Sequence, residues 1–137
     1  MKIEDLMNTK LETVLDSDAM SVAMRKLREK KIKHLPVLNS GGKLVGIVTD
    51  RDLKRANASD ATTLEIHELL YLLDKVKVRQ IMTRNPVVAR PDAGVGAAAR
   101  LMAQKGIGAM PVCREGKLVG MVTATDLLKR LGKVEAE

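Results

Sequence analysis

The chain has 137 residues with 24 basic and 17 acidic side chains, a formal charge of +7, so it can bury a real core and favours an anionic partner. Its 45% hydrophobic and 30% charged residues exclude a disordered chain, and no apolar run approaches the roughly 20 residues of a membrane span. One Tyr and no Phe or Trp remove the stacking surface of single-strand nucleic-acid binders, while a single Cys excludes an internal disulfide.

Residues 1–5 lead into no apolar stretch of the kind a secretory signal needs, so a cytoplasmic location is expected. From there the chain repeats itself. A shift of 75 lays Met7 on Met82, Ala23 on Ala98, Arg25 on Arg100, Lys30 on Lys105, Ile32 on Ile107 and Pro36-Val37 on Pro111-Val112. After a turn shorter by one residue, a shift of 74 lays residues 43–53 on 117–127, with eight of eleven pairs identical. Each copy is marginal as a separate core, so one domain made of two halves with a shared core is expected.

Each copy opens on a short apolar stretch, residues 13–15 and 87–89. Asp16-Ser17-Asp18 and Pro91-Asp92 follow as N-cap candidates for a helix. Apolar positions Met20, Ala23, Met24 and Leu27, echoed by Val95, Ala98, Ala99 and Met102, fit helical spacing. Short strands at 35–38 and 110–113 then turn through Ser40-Gly41-Gly42 or Glu115-Gly116 into strands 44–48 and 118–122. A final helix begins near Thr49 or Thr123, making each copy β-α-β-β-α.

Between the copies, residues 59–63 read as a polar loop and 64–76 as an apolar helix through Ile66, Leu69, Leu70 and Leu73, with capping-box spacing from Thr62 to Glu65. Residues 1–57, 58–75 and 76–137 are thus the first repeat, the inter-repeat loop and helix, and the second repeat. Their charges are +4, −3 and +6, so the positive potential belongs to the repeats.

The strongest chemical signal is Gly46-Ile47-Val48-Thr49-Asp50-Arg51-Asp52 and its copy Gly120-Met121-Val122-Thr123-Ala124-Thr125-Asp126. Taken alone, Thr-x-x-Asp is a common helix cap; its position after an apolar strand, its duplication, and the spacing to Leu35-Pro36-Val37 and Met110-Pro111-Val112 make it specific. Over nearly its whole length the sequence resembles a tandem pair of cystathionine-β-synthase (CBS) domains. Its segment 59–78 resembles, more narrowly, the stand-alone CBS proteins of the acetoin-utilisation B type.

The resemblance implies an α/β (α+β) fold of two repeats packed through their sheets around a pseudo-twofold axis, with adenosyl nucleotides bound in clefts between them. Asp52 and Asp126 would accept hydrogen bonds from ribose hydroxyls, and Thr49 and Thr123 would meet phosphate at a helix start, where an anion is favoured. Lys33, His34 and Arg51 would form a phosphate clamp in the first copy. The second has Gly108, Ala109 and Thr125 there, so the two clefts would differ in ligand or affinity. Thr13, Val14, Ile32, Pro36, Val88, Ala89, Ile107 and Pro111 would line the base through aliphatic contacts and backbone hydrogen bonds. As plain structure, the same residues are caps, charged surface and core.

Cys113 reads as a small core side chain, and His67 as a surface or packing residue. The apolar surface of the inter-repeat helix, Tyr71 included, meets either the repeats or a second subunit, and a homodimer is expected from the resemblance. No activated nucleophile, acid–base pair or metal cluster stands out, so an enzyme is not expected. The reading is a non-catalytic regulatory module that binds AMP, ADP, ATP or S-adenosylmethionine, with magnesium entering only beside ATP. It would signal by rearranging its halves or its dimer to a separate partner protein. The alternatives are a ligand-free dimerisation scaffold and, less favoured, a nucleic-acid binder.

Overall fold

The computed structural model describes residues 1–59 and 66–135, without the side chains of 56–70 and 134–135. The Thr62–Glu65 capping box and the side chains of Leu64, Ile66, His67, Leu69 and Leu70 lie outside the described residues. Two compact units emerge, Glu12–Pro86 and Met1–Leu11 with Val87–Glu137.

In the unit Glu12–Pro86 the order is β1 (Val14–Leu15), α1 (Met20–Glu29), β2 (His34–Leu38), β3 (Leu44–Thr49), α2 (Asp50–Ser59), α3 (Ile66–Lys75), α4 (Val78–Ile81) and β4 (Thr83–Arg84). The sheet runs β1-β2-β3-β4, with β1 parallel to β2 and the other pairs antiparallel. The helical spacing of Met20, Ala23, Met24 and Leu27 puts all four in one buried cluster with Leu35, Val37 and Val48 from the sheet. Leu73 of α3, Val78 and Met82 complete that cluster. Buried Ser21 donates its hydroxyl to Asp74, tying α1 to α3.

The other unit holds α5 (Val95–Lys105), β5 (Ala109–Arg114), β6 (Lys117–Thr123) and α6 (Ala124–Glu135), plus a 3-10 turn at Ile3–Asp5. Its two-stranded sheet is flanked by single bridges, Ala89 to Val112 and Asn8 to Met121. The stretch 87–89 therefore supplies one bridge where a strand is expected. Ile3, Ala89, Ala98, Met102, Met110, Val112 and Val122 form the core.

One correction to the sequence reading concerns the caps of α1 and α5. The compact units cut across the repeat boundaries: residues 1–11 complete the second repeat, and 76–86 complete the first. Each unit has a buried cluster to which these segments contribute, Ile3 in one and Val78 and Met82 in the other. The same segments displace the expected side-chain caps. Helices α1 and α5 start after Ala19 and Gly94, with no side-chain cap at either. The Met20 amide donates instead to the Val76 carbonyl at 2.7 Å, and the Val95 amide to the Met1 carbonyl at 3.0 Å. In return Val78 and Arg79 donate to Asp18 and Asp16 carbonyls, as Ile3 and Glu4 do to Ala93 and Pro91. A backbone carbonyl satisfies a helix-end amide as well as a hydroxyl or carboxylate does, so the polar residues at 16–18 and 91–92 are released from capping.

Candidate functional site

The duplicated motif sits where a strand, β3 or β6, becomes a helix, and its glycine is explained by crowding. A Cβ on Gly46 would lie 2.5 Å from Met82 Sδ and 2.9 Å from the Thr83 carbonyl oxygen; on Gly120 it would lie 2.6 Å from Met7 Sδ and 3.2 Å from the Asn8 carbonyl oxygen. Each glycine admits the Met-led segment that crosses it, which is why Met7 and Met82 occupy equivalent places in the repeat. Thr83 and Asn8, next in sequence, are brought to Ile47 and Met121, two residues before the motif threonines.

In the first repeat Thr49 and Asp52 cap α2 reciprocally. The Thr49 amide and hydroxyl donate to Asp52 Oδ2 at 2.9 and 3.1 Å, and the Asp52 amide donates to Thr49 Oγ1 at 3.1 Å. Asp52 Oδ1 accepts from the Thr83 hydroxyl at 3.1 Å. The residue is only 5% exposed. In the second repeat the Thr123 amide donates to Asp126 Oδ2 at 2.9 Å and the Asp126 amide to Thr123 Oγ1 at 3.2 Å. There the correspondence ends. Asn8 turns its Oδ1 to the Lys10 amide at 3.0 Å, and among the described residues no donor reaches Asp126 Oδ1. Asp126 is half-buried.

His34 opens β2 directly opposite Thr49. Burial pushes its imidazole below the ordinary histidine range; Lys33 adds to this and Asp52 opposes it. Lys33 and Arg51 are exposed, and the Lys33 carbonyl accepts the Asp50 amide at 3.2 Å, as the Gly108 carbonyl accepts that of Ala124 at 2.9 Å. The cations expected of the phosphate clamp thus flank one junction. That junction also carries the Asp50 carboxylate in the first turn of α2, 4.0 Å from Lys54, where α6 has Ala124. A fixed negative charge at a helix start competes with an incoming anion.

Of the expected base-lining residues, Val14 and Ala89 are core, Pro36 and Pro111 are fully buried, and Ile32 and Ile107 pack partly buried against the two cores. Val88 is 47% exposed, a correction to its reading as a core strand residue: with only Ala89 bridged, its side chain leaves the core. The Thr13 carbonyl accepts the Lys26 ammonium at 2.6 Å. Leu101 stands where Lys26 does in the repeat, and no donor among the described residues reaches the Val88 carbonyl. Thr83 and Lys26 were not among the site residues expected from sequence. The repeat held the signal, since each differs in hydrogen-bonding capacity from its counterpart, Asn8 or Leu101.

Cys113 is half-buried on β5 and stands outside the core cluster, a correction to its reading as a core side chain, and the burial it does have raises its thiol pKa. Tyr71 is 60% exposed, with Lys75 Nζ 4.4 Å from its ring centroid. Among the described residues no cluster of His, Cys, Asp or Glu is placed to hold a metal ion, and no helix is long and apolar enough to cross a membrane.

A protein-family model for the CBS domain matches residues 3–59 and 78–133. A CBS domain-containing protein from Dictyostelium discoideum is 38% identical over 133 residues, which span 96% of this chain and 92% of that protein. Among solved structures, the CBS domain pair of protein MJ0100 in complex with 5′-methylthioadenosine and S-adenosyl-L-methionine gives a TM-score of 0.83 at 28% identity, covering 98% of each chain. CBSX2 in complex with AMP, a protein of Arabidopsis thaliana, gives 0.80 at 29% identity, again covering 98% of each. AcuB from Vibrio cholerae gives 0.81 at 26% identity, covering 99% of this chain and 93% of that one.

Proposed function

This chain belongs to the CBS domain family, and we propose that it is a non-catalytic regulatory module that binds an adenosine-containing ligand at its Thr-x-x-Asp junctions. The observation that carries the reading is the Asp126 carboxylate at the start of α6, held by one oxygen and open at the other. A carboxylate so placed accepts from a vicinal diol, while the adjoining helix start favours an anionic substituent. The adenosine ligands of the MJ0100 pair and of CBSX2 support that choice of ligand class. On this reading Asp52 and Asp126 are ribose acceptors and Thr49, Thr123, Lys33, His34 and Arg51 face the 5′ substituent. Thr13, Val14, Ile32 and Pro36, with Val88, Ala89, Ile107 and Pro111, border the base. Magnesium enters only with the phosphates of ATP.

We place the module in the cytoplasm as a homodimer whose rearrangement is read by a separate protein. Exposed Leu128 and Leu131 on α6 support the dimer. Calorimetry against AMP, ADP, ATP, S-adenosylmethionine and NAD tests the binding. At least one is expected to bind, and Asp126→Ala to weaken it about 30- to 1,000-fold through the lost charged acceptor. A scaffold whose motifs are caps alone would bind none of them.

A further inference from the structure

A carboxylate offers about four lone-pair directions to donors. Asp52 uses three of them within the chain, on the Thr49 amide, the Thr49 hydroxyl and the Thr83 hydroxyl, whereas Asp126 uses one, on the Thr123 amide. A ribose diol brings two donors. Asp126 can take both; Asp52 can take one at most, and it is almost fully buried. A second pair of groups repeats the contrast. The Thr13 carbonyl is occupied by the Lys26 ammonium, while its counterpart, the Val88 carbonyl, faces no donor among the described residues. Asp50 sets a third difference, adding negative charge at the start of α2 where α6 has Ala124.

We propose that the first repeat is filled from within, the Thr83 hydroxyl standing in for a ribose hydroxyl on Asp52 and the Lys26 ammonium for a base amine on Thr13, so that the chain binds its adenosine ligand at the second repeat alone. The inference rests on the adenosine-binding reading and narrows it: of the two ribose acceptors named there it keeps Asp126 and withdraws Asp52, together with the 5′ role of Lys33, His34 and Arg51 beside it. It assigns Thr83 and Lys26 as the residues that set site number, and it overrides the basic residues around Asp52 as a guide to occupancy. Long-range charge at Lys33 and Arg51 raises the local concentration of an anion, but both side chains are exposed and screened, whereas filled acceptors remove the bonds that orient a nucleoside. Both donors already belong to the chain, Thr83 on β4 and Lys26 on α1, so their bonds carry no association entropy cost. A ligand must displace them to bind at Asp52.

The test is calorimetric stoichiometry on the whole chain with 5′-methylthioadenosine and, separately, AMP. The wild type is expected to bind one equivalent, and Asp126→Ala to lose it. Thr83→Val combined with Lys26→Leu, which removes both internal donors, is expected to bind two. Because Thr83→Val strips a partner from a buried carboxylate and costs stability, the converse variant is made beside it. Asn8→Thr with Leu101→Lys installs the internal donors in the second repeat and is expected to weaken binding at least 30-fold. Two equivalents of comparable affinity in the wild type, or retention of full affinity by the Asn8→Thr, Leu101→Lys variant, overturn the inference and leave the adenosine reading standing. Binding of neither probe by wild type or by any variant overturns both.

Discussion

Replacing Gly46 by Ala tests whether the crossing segment fixes the motif. A Cβ there meets the Thr83 carbonyl oxygen at 2.9 Å, and ordinary contact begins at 3.4 Å, so backbone must move by about 0.5 Å; the Met82 thioether at 2.5 Å can swing aside, but the carbonyl cannot. It belongs to the β3–β4 ladder, in which Gly46 pairs with Arg84 and Ile47 with Thr83. Overpacking of this kind costs about 1–3 kcal/mol, and alanine recovers about 0.5–1 kcal/mol of strand entropy, leaving a net loss near 1–2 kcal/mol. Gly120→Ala is the internal control. Its backbone obstacle, the Asn8 carbonyl oxygen, lies at 3.2 Å and is held by a single bridge, so a shift of about 0.2 Å suffices and the net change should stay within about 0.5 kcal/mol. Urea unfolding followed by circular dichroism reads the two midpoints. Equal losses, or a larger loss for Gly120→Ala, would refute the crowding argument.

Lys31 holds φ at 53°, where its counterpart Gly106 takes 64°. Lys31→Gly should therefore stabilise the chain by about 1 kcal/mol and Gly106→Ala destabilise it by a similar amount, both measured as urea midpoints. His34 is held below its ordinary pKa, so the unfolded chain takes up the proton first; its contribution is complete above about pH 7 and is lost as pH falls through 6.5 toward the folded value. Unfolding midpoints across that range should slope for the wild type, and His34→Ala, which installs the residue of the second repeat, should flatten the slope. Leu73 is 4% exposed against α1, so Leu73→Ala should cost about 2–4 kcal/mol by thermal unfolding, whereas Tyr71→Ala on the outer side of α3 should cost less than about 0.5 kcal/mol.

The elements that recur with a period were legible in the sequence. Met20, Ala23, Met24 and Leu27 could be read as one helical face, the hairpins followed from their Gly turns, and the Thr-x-x-Asp pairs stood out through duplication. What escaped was carried by residues without periodicity. Residues 1–11 and 76–86 show no helical or alternating pattern, yet their carbonyls cap α1 and α5 and their apolar side chains close the cores. A backbone carbonyl is the same in every residue, so composition does not reveal a cap of this kind. Nor could spacing show that the Thr83 hydroxyl lies 3.1 Å from Asp52, because they stand 31 positions apart with the inter-repeat segment between them. Lys26, on the polar side of an amphipathic helix, looked like any solvated cation.

The division of the chain also orders its assembly. The unit Glu12–Pro86 is a continuous stretch that can close as soon as residue 86 has left the ribosome, whereas its companion joins residues 1–11 to 87–137. Ile3, Leu6 and Met7 therefore pack with residues of α5 and β6 that are synthesised after them. A fragment cut at the apparent repeat boundary would carry the first eleven residues away from the core they serve. It would also leave behind Val76, whose carbonyl anchors α1, and Thr83. Neither residues 1–57 nor residues 76–137 include every residue of either unit.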